Sequence, residues 1–105
     1  GPKGANEGLT LYNFALDLCS KSGQWPQVLE LYKEMSEEAM HLDLSHFRTV
    51  LAACEKSGQP DKAAAVFDHM KASGLKVDRS CFEVLVRVCA RSARLAAVED
   101  LLAEL

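Results

Sequence analysis

Tyr12, Leu16 and Cys19 stand three to four positions apart, the spacing that lines side chains along one face of an α-helix. That run ends at Ser22-Gly23, since glycine tolerates the left-handed conformation found just past a helix C-terminus. Pro26 then falls in the first turn of a following helix, where no backbone donor is required. Val28, Leu31, Tyr32 and Met35 continue that helix. The pattern restarts with Phe47, Leu51 and Cys54, closes at Ser57-Gly58, and reopens at Pro60-Asp61 for a helix ending near Gly74. A third round predicts helices over 79–92 and from about Leu95 to Leu105. Thr10, Ser45 and Ser80 stand near the starts of the first helices, where a side-chain oxygen can cap free amides. No segment has the strict alternation of a strand. The expectation is all-α, with six helices in three stacked antiparallel hairpins.

The hairpins are copies of one another. Cys19-Ser20-Lys21-Ser22-Gly23-Gln24 returns 35 residues later as Cys54-Glu55-Lys56-Ser57-Gly58-Gln59, and again, eroded, as Cys89-Ala90-Arg91-Ser92-Ala93-Arg94. The same spacing relates Tyr12, Phe47 and Phe82; Leu16, Leu51 and Val86; Leu31, Val66 and Leu101; Met35, Met70 and Leu105; and Asp43 with Asp78. A fixed period between about 20 and 50 residues marks a stacked-repeat architecture. Such units bury their apolar faces on their neighbours and bind extended partners along a concave surface, forming an α-α superhelix or solenoid. The units read as 9–43, 44–78 and 79–105. Residues 1–8 are expected to be a tag remnant or disordered lead-in, because Gly1-Pro2 resembles the scar of a cleaved tag. Tyr12, Phe47 and Phe82 are expected to be buried between hairpins, each beside Leu16, Leu51 or Val86. Val98, Leu101, Leu102 and Leu105 would form an uncovered apolar face on the last helix. That face predicts end-to-end self-association, since solenoid ends normally need a polar cap.

Composition changes this picture little. Hydrophobic residues make up 49% and charged residues 26%, an ordinary globular balance. No uncharged run approaches the roughly 20 residues needed to span a bilayer, so no membrane role is expected. Net charge is −3, which argues against a generic polyanion binder. The charges nevertheless segregate. The first-helix stretches 9–24, 44–59 and 79–94 hold seven cations against Asp17, Glu55 and Glu83, so 7 − 3 = +4. The rest of the chain carries 5 − 12 = −7. Lys21, Lys56 and Arg91 share one phase and would form a ladder suited to tracking phosphates.

Four cysteines invite thoughts of zinc or disulfides. Cys19, Cys54 and Cys89 occupy equivalent positions, however, and stacked helices would hold them about 9–10 Å apart. A disulfide needs an approach of about 7 Å, and no pair has the short ligand spacing of a zinc site. They read as small buried thiols in a reducing compartment. His41, His46 and His69 are scattered. Deaminase, nucleophile-elbow and glycine-rich phosphate-loop signatures do not occur. No catalytic residues, metal or cofactor are expected; the fragment is not read as an enzyme.

Two families of helical hairpins have periods this close. Tetratricopeptide units use 34 residues, with a glycine inside the first helix and a Trp-Leu-Gly-Tyr pattern around it. Here the first-helix interiors carry no glycine, and Trp25 opens a second helix instead. The chain resembles the pentatricopeptide repeat. It offers Thr10-Leu11-Tyr12-Asn13, Cys19-Ser20-Lys21-Ser22-Gly23, then Val28 to Met35, and closes the unit at Leu42-Asp43. The second unit offers Phe47, Cys54-Glu55-Lys56-Ser57-Gly58, Ala63 to Met70, and Leu75-Lys76-Val77-Asp78. The resemblance covers Leu9 to Leu105.

That resemblance implies single-stranded RNA binding in mitochondria or chloroplasts, one base per unit, within transcript processing, stability, editing or translation. The family's base-reading positions map to Asn13 with Asp43, to Arg48 with Asp78, and to Glu83. Asn with Asp resembles the family's pyrimidine pair, favouring uracil. Arg48 with Asp78 matches no established pair, and Glu83 brings a carboxylate towards an anionic strand. Thr10, Ser45 and Ser80 replace the valines that usually sandwich bases, which weakens stacking. Lys21, Lys56 and Arg91 would face phosphates. The alternative is a protein-interaction scaffold, contacting other subunits within a larger organellar assembly such as a mitochondrial ribosome.

Overall fold

A computed structural model describes residues 2–104, with the side chains of 7–93 and 102–104. Among the described residues there are five helices: α1 (Pro2–Lys21), α2 (Trp25–Glu37), α3 (Leu44–Lys56), α4 (Pro60–Ala72) and α5 (Arg79–Ala103). The array is all-α. α1 packs on α2 and α3 on α4 as hairpins, and α5 lies across both α3 and α4. The first helices touch in series, α1 on α3 and α3 on α5, whereas α2 and α4 have no such direct packing. Only side chains bridge α2 to α4, through Tyr32 and His69 hydrogen-bonded at 2.6 Å over a groove of about 540 Å³. The first-helix layer is thus the closely packed one, and the second helices stand apart.

The turns follow the expected chemistry. Gly23, Gly58 and Gly74 adopt φ of +70°, +61° and +78°. Beyond each glycine an amide reaches back to the helix: Gln24 to the Cys19 carbonyl (2.8 Å), Gln59 to Cys54 (2.9 Å) and Leu75 to Met70 (3.3 Å). Pro26 and Pro60 occupy the first turns of α2 and α4.

Three expectations need correction. The sixth helix is not separate, because α5 runs unbroken from Arg79 to Ala103. Where earlier units have Ser-Gly-Gln followed by Pro within two residues, this one has Ser92-Ala93-Arg94-Leu95. Neither a free left-handed residue nor a proline interrupts the helix. The first helix starts at Pro2 rather than near Thr10, so the backbone of residues 2–8 is continuous with α1. Nothing after Pro2 in that stretch forbids helix, and proline itself is tolerated in a first turn. Finally, the caps are not Ser45 and Ser80. Asp43 caps α3 by accepting from the His46 amide (3.0 Å), and Asp78 accepts from the Cys81 amide (3.0 Å) at the start of α5.

The core is centred on the middle unit. Phe47, Leu51 and Cys54 are fully buried with Val50 and Ala53, and Val28, Met35, Ala63, Val66 and Met70 close over them from α2 and α4. Burial pushes the Cys54 thiol up to about 11. Leu16 is buried and Tyr12 half-buried, but Phe82 and Val86 are 53% and 49% exposed. Their face of α5 would be covered by an antiparallel second helix, which the continuous α5 does not supply. Cys89 is exposed for the same reason, so it is not the buried thiol expected from its phase. All four cysteines are free. Leu102 is exposed, and Val98, Leu101 and Leu105 lie outside the described side chains.

Candidate nucleic-acid interface

Two clefts open on the α1–α3–α5 side, 35 residues out of step. The first, of about 300 Å³, lies between α1 and α3 and is lined by Asn13, Leu16, Asp17, Ser20, Asp43, Ser45, His46 and Thr49. The second, of about 190 Å³, lies between α3 and α5 and is lined by Arg48, Leu51, Ser80, Cys81, Glu83, Val84 and Arg87. Five positions correspond: Asn13 to Arg48, Leu16 to Leu51, Ser45 to Ser80, His46 to Cys81, and Thr49 to Val84. The expected base-reading residues Asn13, Asp43, Arg48 and Glu83 line these walls, and Asp78 closes the second cleft through Arg48. Thr10, Ser45 and Ser80 are all exposed.

The same aspartates do two jobs. Each sits one residue before a first helix and caps it; Asp43 also lines the first cleft, and Asp78 reaches the second through Arg48. This ties the cleft wall to a rigid backbone rather than to a loop.

The clefts differ in what couples their two reading positions. Asp78 is held by three donors. Its Oδ1 accepts from the Cys81 amide and from the Ser80 hydroxyl, both at 3.0 Å, while Oδ2 accepts from Arg48. The Cys81 amide and then the Arg48 guanidinium hold its carboxyl far below the usual carboxylate range. In the first cleft Asn13 and Asp43 do not meet directly. His46, only 7% exposed, joins them: the Asp43 backbone amide donates to its Nδ1 (2.8 Å), and its Nε2 contacts Asn13 Oδ1. Sequence reasoning set His46 aside as scattered. Its signal was its place three residues after Asp43, the position where a capping box usually has Glu or Gln.

The cations are less available than their phase suggests. Lys21 pairs with Asp17 at 2.9 Å along α1. Arg91 lies 3.3 Å from Glu55, which also holds Arg87 through two bonds of 2.9 and 3.1 Å. The Arg87 guanidinium lowers the Glu55 pKa. Lys56 has no ion pair among the described residues. Arg79 neutralises Glu83 at 2.8 Å, so Glu83 does not present a bare charge. Exposed pairs of this kind contribute about 0–1 kcal/mol and exchange readily for another anion.

No helix among the described residues is long and apolar enough to cross a membrane. No curated protein matches the sequence. One family model does, described as the pentacotripeptide-repeat region of PRORP, and it spans residues 3–105. The 35-residue period, the glycine-stopped first helices and the aspartate-capped unit joints all agree with that match. The chain belongs to the pentatricopeptide-repeat family.

Proposed function

We propose that this array is a single-stranded RNA-binding module of an organellar RNA-metabolism protein, acting in a mitochondrion or chloroplast on transcript processing, stability, editing or translation. The recurrence, 35 residues apart, of a cleft with equivalent lining positions on the first-helix side carries the reading, because a strand with a regular base spacing suits regularly spaced clefts. Asn13 with Asp43 reads one base, Arg48 with Asp78 a second, and Glu83 stands at a third position. Lys21, Lys56 and Arg91 neutralise phosphates, the first and last by exchanging their carboxylate partners. The module has no chemistry of its own in this proposal and needs no cofactor.

Magnitudes set the expected affinity. Stacking contributes about 1–3 kcal/mol per base, and a millimolar dissociation constant already requires about 4 kcal/mol net. Two or three bases therefore give binding in the high-micromolar range or weaker. Titration with oligouridine, followed by NMR, should move Asn13, Arg48 and Lys56 and fade as salt rises. Shifts confined to the acidic α2 and α4 would sink the reading.

A second reading has its own observation. Leu11, Phe14 and Leu18 form an exposed apolar row on α1, 50–69% accessible, and Phe82 with Val86 form another on α5. These rows suit protein subunits, or copies of the chain stacking end to end through the C-terminal helix. Loss of the Asn13 response to RNA, with a protein partner shifting it instead, would favour this scaffold.

A further inference from the structure

His46 is the one buried polar side chain among the described residues, and every polar atom it carries is used. The Asp43 backbone amide can only donate, so in the neutral ring Nδ1 keeps its lone pair and the proton sits on Nε2. Nδ1 also lies 3.0 Å from Asp43 Oδ1, but a ring charged by that contact would still carry hydrogen on Nε2. In either state the atom facing Nε2 must be an acceptor, which assigns it to Asn13 Oδ1. The Asn13 amide is thereby oriented. Its oxygen is spent on the histidine, and its NH2 group is left for the cleft. Asp43 Oδ1 is committed to the His46 amide, leaving Oδ2 as an acceptor at the same mouth.

We propose that His46 is a positioning residue that fixes the Asn13 amide with its donors towards the cleft, and so makes this cleft select uridine over cytidine. The proposal rests on the RNA-binding reading above. A uracil edge places a carbonyl beside an N3–H, matching the Asn13 donor and the Asp43 acceptor. Cytosine in the same pose turns the carbonyl into an amino group and the N3–H into a lone pair. Both contacts then become donor against donor and acceptor against acceptor, a mismatch that a site built to hydrogen-bond the edge rejects. A free amide would escape half of this by flipping; one held by His46 does not. The second cleft has Cys81 in place of the histidine, and there Arg48 and Asp78 are joined directly, with no third side chain to orient them.

Three variants of one position separate this role from a packing role. His46→Glu keeps a side-chain acceptor at the capping-box position but has no hydrogen to offer Asn13. The amide should turn to donate to it and present its oxygen to the cleft. The ratio of uridine to cytidine affinity should then fall about tenfold or invert, read from tetranucleotide titrations at the Asn13 side-chain amide. His46→Gln keeps both an acceptor and a donor and should retain the uridine preference. His46→Phe should bind both oligomers with the preference lost. Melting curves verify that each variant is folded. In the parent protein, a long-range ¹⁵N spectrum should show His46 protonated at Nε2 without any RNA present. A ring protonated at Nδ1 alone, or a Glu variant that keeps the parent preference, overturns the proposal. If neither oligomer shifts Asn13 even in the parent, the RNA-binding reading itself falls and this inference with it.

Discussion

The middle and third units carry the same phase of apolar residues, yet only the middle one closes into a hairpin. Phe47 and Leu51 are completely buried, whereas Phe82 and Val86 are about half exposed, though each pair occupies equivalent positions. The divergence begins in four residues, Ser57-Gly58-Gln59-Pro60 against Ser92-Ala93-Arg94-Leu95. A third turn clarifies the cause. Ala39 stands 35 residues before Gly74, and it does adopt the left-handed conformation, at φ +51°. That costs an alanine roughly 1–2 kcal/mol. The cost is offset because the chain beyond is anchored: the Met40 amide bonds to the Met35 carbonyl, Leu42 is buried and Asp43 caps α3. Beyond Ala93 stand Arg94 and Leu95, with neither a cap nor a proline, and the helix continues. Losing the glycine alone does not remove a turn. Losing the glycine together with the signals that begin the next helix does.

The largest test of this contrast compares the two phenylalanines. Phe47→Ala should cost about 3–5 kcal/mol, which approaches the stability of a whole small domain. Phe82→Ala, with an edge contact to Phe67 at 6.0 Å but half its surface in water, should cost less than about 1 kcal/mol. Equal losses in thermal melts would erase the distinction between the units.

Next comes the turn itself. Ala93→Gly with Leu95→Pro adds about 1 and 3 kcal/mol to the cost of a continuous helix. The pair should split α5, seen as a collapse of helical ¹³Cα shifts around residues 92–95. Helical shifts that persist there would show that something other than local signals holds α5 straight.

A smaller effect is expected at the tie between the two units. Glu55, at 15% exposure, holds Arg87 and Arg91 across the α3–α5 joint. Glu55→Gln should cost on the order of 1–2 kcal/mol. Because the Arg87 guanidinium lowers its pKa in the folded state, Glu55 contributes stability above the ordinary glutamate range, near 4.3. That contribution is lost as pH falls through the lower folded value. The parent should lose more stability on acidification than the Gln variant does. Glu83→Gln, whose ion pair is with the exposed Arg79, should change stability by less than about 0.5 kcal/mol and serves as the control.

The smallest expected change is a gain. Ala39→Gly relieves a left-handed alanine but adds flexibility to the unfolded chain, for a net stabilisation of about 0.5–1 kcal/mol. Gly58→Ala, the reverse exchange in the middle unit, should destabilise by a similar net amount, about 0.5–1 kcal/mol. A destabilised Ala39→Gly protein would mean that the turn at residue 39 is not strained.

Local chemistry made much of this protein readable. The helix stops at Gly23, Gly58 and Gly74, the prolines that open α2 and α4, and the all-α repeat all follow from short-range rules that act wherever those residues occur. The substitutions at residues 93 and 95 were equally visible, but a 35-residue phase suggested a turn that their chemistry does not support. The candidate site was legible as positions, not as interactions. Asn13, Asp43, Arg48, Asp78 and Glu83 could be placed by phase, and the basic residues by helix.

Tertiary structure decided the partners that lie across helices, whereas Lys21 with Asp17 and Arg79 with Glu83 pair along one helix turn. Asn13 and His46 are 33 residues apart, Arg48 and Asp78 are 30, and Glu55 and Arg87 are 32. Such contacts depend on how two helices stack, and no local periodicity encodes which side chain reaches which. Stacking turned a histidine read as incidental into the link between two reading positions, and it paired cations that phase alone had left facing solvent. It also left half of the third unit's apolar face uncovered, because burial needs an opposing helix and a repeat in the sequence does not guarantee one.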